Sequence, residues 1–462
     1  MKRAIKLFNI AIAFSGIIGL NLLMTSSTQA QAPSRPRRVQ DQTSNTNNQN
    51  SNKQKEEPLL DVVPTNKNTS TTNTTNKTNT TNNNSTTNTS RPRSQPTPAN
   101  TNTNANTNAN SKATTSEQTA SATDTTSAYS LLQQKKYDEA LKEAKRIIGV
   151  DANNAEALKI AGFAAYNLKQ YADAARDLQK SLDLRRAAKE KDDENTIDAL
   201  AQAYARSEQF DKALPFLVQV TSKADAKPDS GLLYLRGVAE YRTGKPADAE
   251  KSFNAAVKAD PKNSAALYFL GTMAFEKNDF SAAIAAFQRT TQADPKMAAA
   301  WERLTLSYLQ RAAITAEEDE TKAKADYTSA ISAAEGLTRA RPGDDSTALL
   351  GQALVSAGNY QRASLELEKI AVGPKAKGET LYLLGISYSR LKNFPKAIST
   401  LERAAQKKSD DANIYRELGY AAEVSKQYAK ALDAYEKGAK LAPGDSYFSE
   451  GVNRVKPFAK KP

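Results

Sequence analysis

Gly237 and Gly271, Ala249 and Ala283, Phe253 and Phe287, and Pro261 and Pro295 each stand 34 residues apart. A fixed period of that length constrains the fold more than any other feature of the chain. One period holds two amphipathic helical patterns and a turn, and such a unit buries its apolar face only by stacking on its neighbours. The stretch Ser264–Pro295, SAALYFLGTMAFEKNDFSAAIAAFQRTTQADP, shows the unit most clearly. Leu267, Leu270, Gly271 and Ala274 share one face of a first helix, KNDF makes the turn, and Phe280, Ala283, Phe287 and Thr290 share one face of a second.

Nine such units can be placed in phase between residues 126 and 444. The small residue of the second helix is Ala in all of them: Ala140, Ala174, Ala213, Ala249, Ala283, Ala330, Ala363, Ala397 and Ala431. The matching first-helix position is Gly162, Gly237, Gly271, Gly351, Gly385 and Gly419 in six units, with Ala128, Ala201 and Thr305 in the others. Gly inside a helix costs up to about 1 kcal/mol relative to Ala, so its recurrence at one phase predicts a neighbouring helix pressing there. An aromatic opens most second helices (Tyr137, Tyr171, Phe210, Phe280, Tyr327, Tyr360, Phe394, Tyr428), and Pro246 takes its place once. Pro261, Pro295, Pro342 and Pro443 end four second helices.

Two places break the period. LRRAAKEKDDEN between the second and third units adds about five residues, which predicts a bend or longer loop. In the sixth unit Tyr308 and Tyr327 are 19 residues apart where the regular spacing is six. The 13 extra residues, around AAITAEEDETKAKAD, are rich in helix formers and pair Glu318 with Lys322 and Glu320 with Lys324 at i, i+4. They predict two helices lengthened by roughly two turns each, serving as a docking prong or simply as a solvated hairpin.

This pattern resembles the tetratricopeptide-repeat (TPR) family across roughly 330 residues. The resemblance implies an all-α fold: a right-handed superhelix, or α-solenoid, of about nine helix–turn–helix units with a C-terminal cap helix, in which the first helices line a concave face that holds a partner segment. Carried onto this sequence, the concave positions lie three before, one after and four after the first-helix small residue. They give Phe163, Tyr166, Tyr234, Val238, Tyr241, Tyr268, Phe275, Tyr382, Ile386 and Tyr420, with Arg242, Arg390 and Arg416 nearby, as candidate partner-binding residues. Tyr and Arg are the types that dominate binding hot spots. The competing expectation is that some of these rings pack on the adjacent helix as core. TPR domains that clamp a chaperone's C-terminal carboxylate use an Asn one residue after the small position. Here that position is Phe163, Gln202, Val238, Thr272, Leu306, Gln352, Ile386 or Tyr420, which argues against that mode.

Outside the array the composition changes twice. MKRAIK followed by the 18-residue apolar stretch LFNIAIAFSGIIGLNLLM and the small-residue TSSTQA has the layout of a secretory signal peptide over residues 1–30. An uncleaved inner-membrane anchor is the alternative, since 18 residues approach a bilayer's span. Residues 31–125 are dominated by Asn, Thr, Ser and Gln, which predicts a disordered linker with an r.m.s. span of roughly 50–60 Å. Within it lie the basic clusters Arg35, Arg37, Arg38 and Arg91, Arg93, and one apolar island, EEPLLDVVP. The divisions expected are therefore 1–30 signal, 31–125 linker, 126–444 array, and 445–462 cap helix and tail.

The 462 residues include no Cys and no His. That removes the thiol nucleophile, the Ser–His triad, the imidazole base and the usual zinc site, and no metal or other cofactor is expected. Asp192, Asp193 and Glu194 form a charge run without metal-loop spacing. The net charge of +13 is spread thinly, without the Lys/Arg stripe interleaved with aromatics that strand binding needs, so nucleic acid is not an expected partner. The reading reached from sequence is a non-catalytic protein-interaction scaffold, exported to the periplasm or outside of a bacterial cell, with a protein or peptide partner and membrane or wall proximity through its N-terminal segment. The alternatives are a glycan- or wall-binding protein whose tyrosines stack on sugars, and the regulatory arm of an envelope complex.

Overall fold

An added Cβ at Gly271 would stand 2.7 Å from the Phe287 ring, and one at Gly237 would stand 2.6 Å from Phe253. The recurring glycines therefore sit where the first helix of a unit meets the large residue of its own second helix. The Ala of each second helix is fully buried in all nine units. These two small positions fix how closely the helices of a pair approach.

The computed structural model describes residues 122–222 and 229–459. Nineteen helices and no strand occur among them. In chain order they are α1 (Thr126–Gln133), α2 (Tyr137–Val150), α3 (Ala155–Asn167), α4 (Tyr171–Ala187), α5 (Glu194–Arg206), α6 (Phe210–Thr221), α7 (Ser230–Arg242), α8 (Pro246–Ala259), α9 (Ser264–Glu276) and α10 (Phe280–Ala293). They continue with α11 (Ala298–Thr315), α12 (Glu320–Ala340), α13 (Asp344–Ser356), α14 (Tyr360–Glu368), α15 (Gly378–Arg390), α16 (Phe394–Lys407), α17 (Ala412–Val424), α18 (Tyr428–Leu441) and α19 (Ser446–Ala459). This is the all-α array of nine helix–turn–helix pairs and a last helix that the repeats predict. The signal and nearly all of the linker expected at residues 1–125 lie outside the described residues.

The described chain forms two compact units. The first holds α1–α6, three pairs. The second holds α7–α19, six pairs and the last helix. Within each, every helix packs on the one before and the one after. First helices also touch the first helices of adjoining pairs, as α1 touches α3, α3 touches α5 and α15 touches α17. No second helix reaches another to a comparable extent among the described residues. The first helices are thus the inner layer of each unit.

The turn inside a pair is a Schellman close. The Lys169 amide donates to Tyr166 and the Gln170 amide to Ala165, with Lys169 at φ 61°. Gly244 and Gly358 fill this left-handed position in two pairs, but Lys135, Lys169, Lys392 and Lys426 fill it in four. At the end of the array α19 covers α18. Its Phe448 ring presses on Gly438, while Gly451 receives the other edge of Tyr435. Phe448 and Val455 are buried by that contact.

The breaks in period resolve into helix. α4 runs to 17 residues where α2 has 14 and is followed by a six-residue loop, which absorbs the LRRAAKEKDDEN addition. In the sixth pair α11 has 18 residues against 13 in α9, and α12 has 21 against 14 in α10. The turn between them has one residue more than the turn before α10. The second helix gains its two turns; the first gains nearer one and a half.

Candidate partner-binding groove

In the first unit the inner faces of α1, α3 and α5 enclose a groove of about 440 Å³. The 3.6-residue period puts Phe163 and Tyr166 of α3 on its floor, both half-buried, with Ile160 beneath them. Tyr129 and Leu132 of α1 close one wall, and Asp198, Ala199 and Gln202 of α5 the other. The Tyr166 hydroxyl donates to Gln202 Oε1 at 2.7 Å, and its ring meets Tyr171 edge-on at 5.6 Å. These contacts fix Tyr166, and burial pushes its phenol pKa up. Among the described residues Phe163 and Tyr129 have no such tether, and Tyr129 is 49% exposed.

The rim is charged. Lys159 Nζ lies 3.1 Å from Asp193, which also accepts from the Thr196 hydroxyl at 2.6 Å. Burial would raise the Asp193 carboxyl, but these donors outweigh it and hold the pKa below the ordinary value. Glu156 is paired with Arg185. Asp192, from the same charge run, is paired with Arg186. The run is therefore structural, and no group of residues able to hold a metal ion occurs among the described residues.

In the second unit the spacing rule meets the close approach of neighbouring first helices. Tyr234, Val238, Tyr268, Tyr382 and Ile386 are buried, which corrects their placement on an open face. Tyr234 packs against Phe253 and Phe269, with ring centroids 6.2 and 5.9 Å away, and Tyr268 packs on Phe287 at 5.6 Å. Burial drives the Tyr382 pKa well up. Tyr241 stays half-exposed and donates its hydroxyl to the Glu276 carboxylate, 2.8 Å from each oxygen. Burial and then Glu276 push that phenol up to about 12. Phe275 is held between Phe280 at 5.3 Å and the Arg303 guanidinium at 5.5 Å.

Arg390 and Arg416 serve the fold. Arg390 grips Glu417 with two nitrogens at 2.9 and 3.0 Å and lies 5.7 Å over Tyr420. Arg416 pairs with Asp445 and stacks on Tyr447 and Phe448, anchoring α19. Arg242 and Tyr420 remain exposed. Of the thirteen candidates, the structure brings Phe163 and Tyr166 together in a groove, spreads Tyr241, Arg242, Phe275, Arg390, Arg416 and Tyr420 along accessible or half-buried positions of the second unit, and places five in the core. Tyr129 obeys the same spacing, one residue after Ala128, and is the most exposed ring of the groove. Lys159 and Gln202 obey it too; a search for aromatics and arginines does not select them.

The Tetratricopeptide repeat family model matches residues 125–190, 199–264, 234–298 and 382–446, together half of the chain. The model for anaphase-promoting complex, cyclosome, subunit 3, matches residues 323–404. Neither describes an enzyme. No curated protein matches. Among solved structures the chain is similar to YrrB, a TPR protein with an unusual peptide-binding site, at 16% identity over 44% of this chain and 99% of that one, with a TM-score of 0.36. A tetratricopeptide repeat protein from Parabacteroides merdae matches at 15% identity over 57% and 98%, also at 0.36. A MamA RS-1 double mutant matches at 24% over 36% and 90%, at 0.31.

Proposed function

Since the chain belongs to the tetratricopeptide-repeat family, we propose that it is a non-catalytic scaffold, exported to a bacterial cell envelope, that holds a segment of a protein partner in the groove of α1, α3 and α5. The observation that carries this reading is the pair Tyr129 and Phe163 on the wall and floor of that groove, neither tethered to a partner among the described residues. Side chains with internal partners, such as Tyr166 and Arg390, are committed to the fold. Two rings free of internal partners at the centre of one groove are placed to serve as anchors for a bound segment. The charged rim, with Lys159 and Glu156 already paired, would orient the segment more than hold it. Export is supported by the basic and apolar start of the chain and by the lack of Cys, which removes any need for disulfide chemistry outside the cell.

The test uses the full chain as bait against solubilised envelope proteins, with crosslinking. Tyr129→Ala with Phe163→Ala should weaken capture of the partner at least about ten-fold, the size expected when two aromatic anchors are truncated, while the melting temperature holds. Undiminished capture by that folded double variant would remove the groove from the reading. N-terminal sequencing of protein recovered from the envelope should find Gln31 first. Hydrolysis of an envelope polymer by the pure protein would overturn the non-catalytic reading.

A further inference from the structure

Charge is distributed unevenly along the array. Residues 369–462 hold eighteen Lys/Arg against ten Asp/Glu, whereas residues 126–368 hold thirty-three against thirty-five. The excess is concentrated on one edge of the second unit, where α15, α17 and α19 end and α16 and α18 begin. The period assembles it: Lys392 and Lys426 are 34 residues apart, as are Lys396 and Lys430, and as are Val424 and Phe458. Contacts confirm that these ends adjoin. The Phe458 ring lies 5.1 Å from Tyr428, and Lys430 reaches back to Glu402 at 2.7 Å.

The carboxylates of this edge are already taken. Glu368 holds Lys396 and the Tyr388 hydroxyl, Glu402 holds Lys430, and Glu423 holds Arg454 and the Tyr435 hydroxyl. Lys392, Lys426 and Lys456 have no carboxylate partner among the described residues. Three apolar side chains stand out between them: Leu391 at 38% exposure, Val424 at 46% and Phe458 at 51%. The first unit shows the contrast. It carries Lys135 and Lys169 in the same left-handed turns, but four residues on it has Glu139 and Asp173 where the second unit has Lys396 and Lys430.

We propose that this edge rests on an anionic membrane surface. Leu391, Val424 and Phe458 enter the headgroup layer, and Lys392, Lys426 and Lys456 pair with lipid phosphates. The unmatched charges are all lysine, strongly hydrated point charges that suit a diffuse anionic plane rather than bidentate recognition of a fixed site. Apolar chains projecting among cations are what an interfacial contact buries. An edge built of helix ends and turns offers no groove for a nucleic-acid strand to follow. No described helix is long and apolar enough to cross a membrane. The groove lies in the other unit, and the two proposals stand or fall separately.

The absence of native Cys allows a single reporter in the full chain. An environment-sensitive dye on Gln427→Cys, beside Lys426, would be compared with the same dye on Ala285→Cys, exposed on α10. Vesicles of phosphatidylglycerol with phosphatidylcholine should blue-shift the dye at 427 and leave the one at 285 unmoved; phosphatidylcholine alone should do neither. Lys392→Gln, Lys426→Gln and Lys456→Gln together should raise the lipid concentration at half-response about 100-fold, at about 1 kcal/mol per charge removed. The Lys→Glu set should raise it further, and Leu391→Ser with Phe458→Ser should lower the blue shift. A dye at 427 that ignores anionic vesicles, an equal response to neutral ones, or a midpoint within two-fold in the folded charge-reversal variant would overturn the proposal. So would a response to DNA or polyglutamate without one to vesicles.

Discussion

Trp301 and Gly336 show how one residue pair can invert a rule and keep the fold. In most pairs a large second-helix residue lies over a small first-helix residue, as Phe287 lies over Gly271. The sixth pair has Thr305 and Ala334 at those two positions, both small and buried. The missing volume is supplied from the first helix, where the Trp301 ring presses on Gly336 of α12. Trp301 Nε1 donates to the Pro295 carbonyl at 2.9 Å, so the ring cannot swing away. A Cβ at Gly336 would stand 2.6 Å from Trp301 Cδ2. Gly336→Ala should therefore destabilise this pair by about 2–3 kcal/mol, in the range of overpacked cores. Gly149→Ala, in α2 with nothing within 4 Å of the added carbon, should be neutral or stabilising. Trp301 is the only tryptophan, so its emission during urea unfolding reads the sixth pair directly. An unchanged midpoint for Gly336→Ala would show that the ring is not fixed as described.

The lengthened hairpin of α11 and α12 depends on a charge pair at its base. Arg311 donates to both Asp326 oxygens, at 2.8 and 2.7 Å, and a third nitrogen reaches Ser281 of α10 at 3.3 Å. Asp326 is buried. Removing one partner of such a pair leaves an uncompensated charge, which costs roughly 3–5 kcal/mol when burial is complete. Arg311 keeps some exposure, so Arg311→Met should cost about 2–4 kcal/mol by the same fluorescence, and adding Asp326→Leu should restore most of it. No recovery in the double variant would mean that Arg311 acts through packing on Tyr308 instead. The hairpin also shows what was legible in the sequence. The inserted residues are helix formers that preserve the apolar spacing, so longer helices followed from composition alone. How they divide between α11 and α12 was not legible, because that depends on where Arg311 finds Asp326 across the turn. The same limit governs the candidate groove. Spacing tells which way Tyr234 faces, but its burial is decided by Phe269 on the next first helix, 35 residues on, and by how tightly first helices pack. Phe163 and Tyr166 stay half-buried because the next first helix, α5, faces them with Asp198, Ala199 and Gln202 and no aromatic ring. The lysines in left-handed turns carried no signal, since local sequence does not mark them as Gly or Asn would.

For the whole molecule, the missing residue types bear on stability as much as on chemistry. Histidine and cysteine are the side chains whose ordinary pKa values lie between the carboxylates and the phenols or amines, and the chain has neither. Apart from the α-amino group, side chains of ordinary pKa place proton linkage at the two ends of the pH scale. At the acid end, the Arg146 hydrogen bond lowers the Glu143 pKa and the Arg186 hydrogen bond lowers that of Asp192. Burial opposes the lowering of Glu379 and Glu423, but their basic partners Lys408 and Arg454 outweigh it. A carboxyl lowered in the folded state contributes stability that is complete above its unfolded pKa, near 4 to 4.5, and is lost as pH falls through the folded value. At the alkaline end, burial and Glu276 raise Tyr241 to about 12, and burial raises Tyr388 and Tyr435 further. A phenol raised in the folded state contributes stability that is complete below its unfolded pKa, near 10, and is lost as pH rises towards the folded value. The melting temperature at constant ionic strength should therefore be level between about pH 6 and 9, and should fall below about pH 4 and above about pH 10. Circular dichroism melts across that range test it. A drift of more than a few degrees between pH 6 and 9 would require a carboxyl or lysine with a strongly displaced pKa, and would single out that group as the first to mutate.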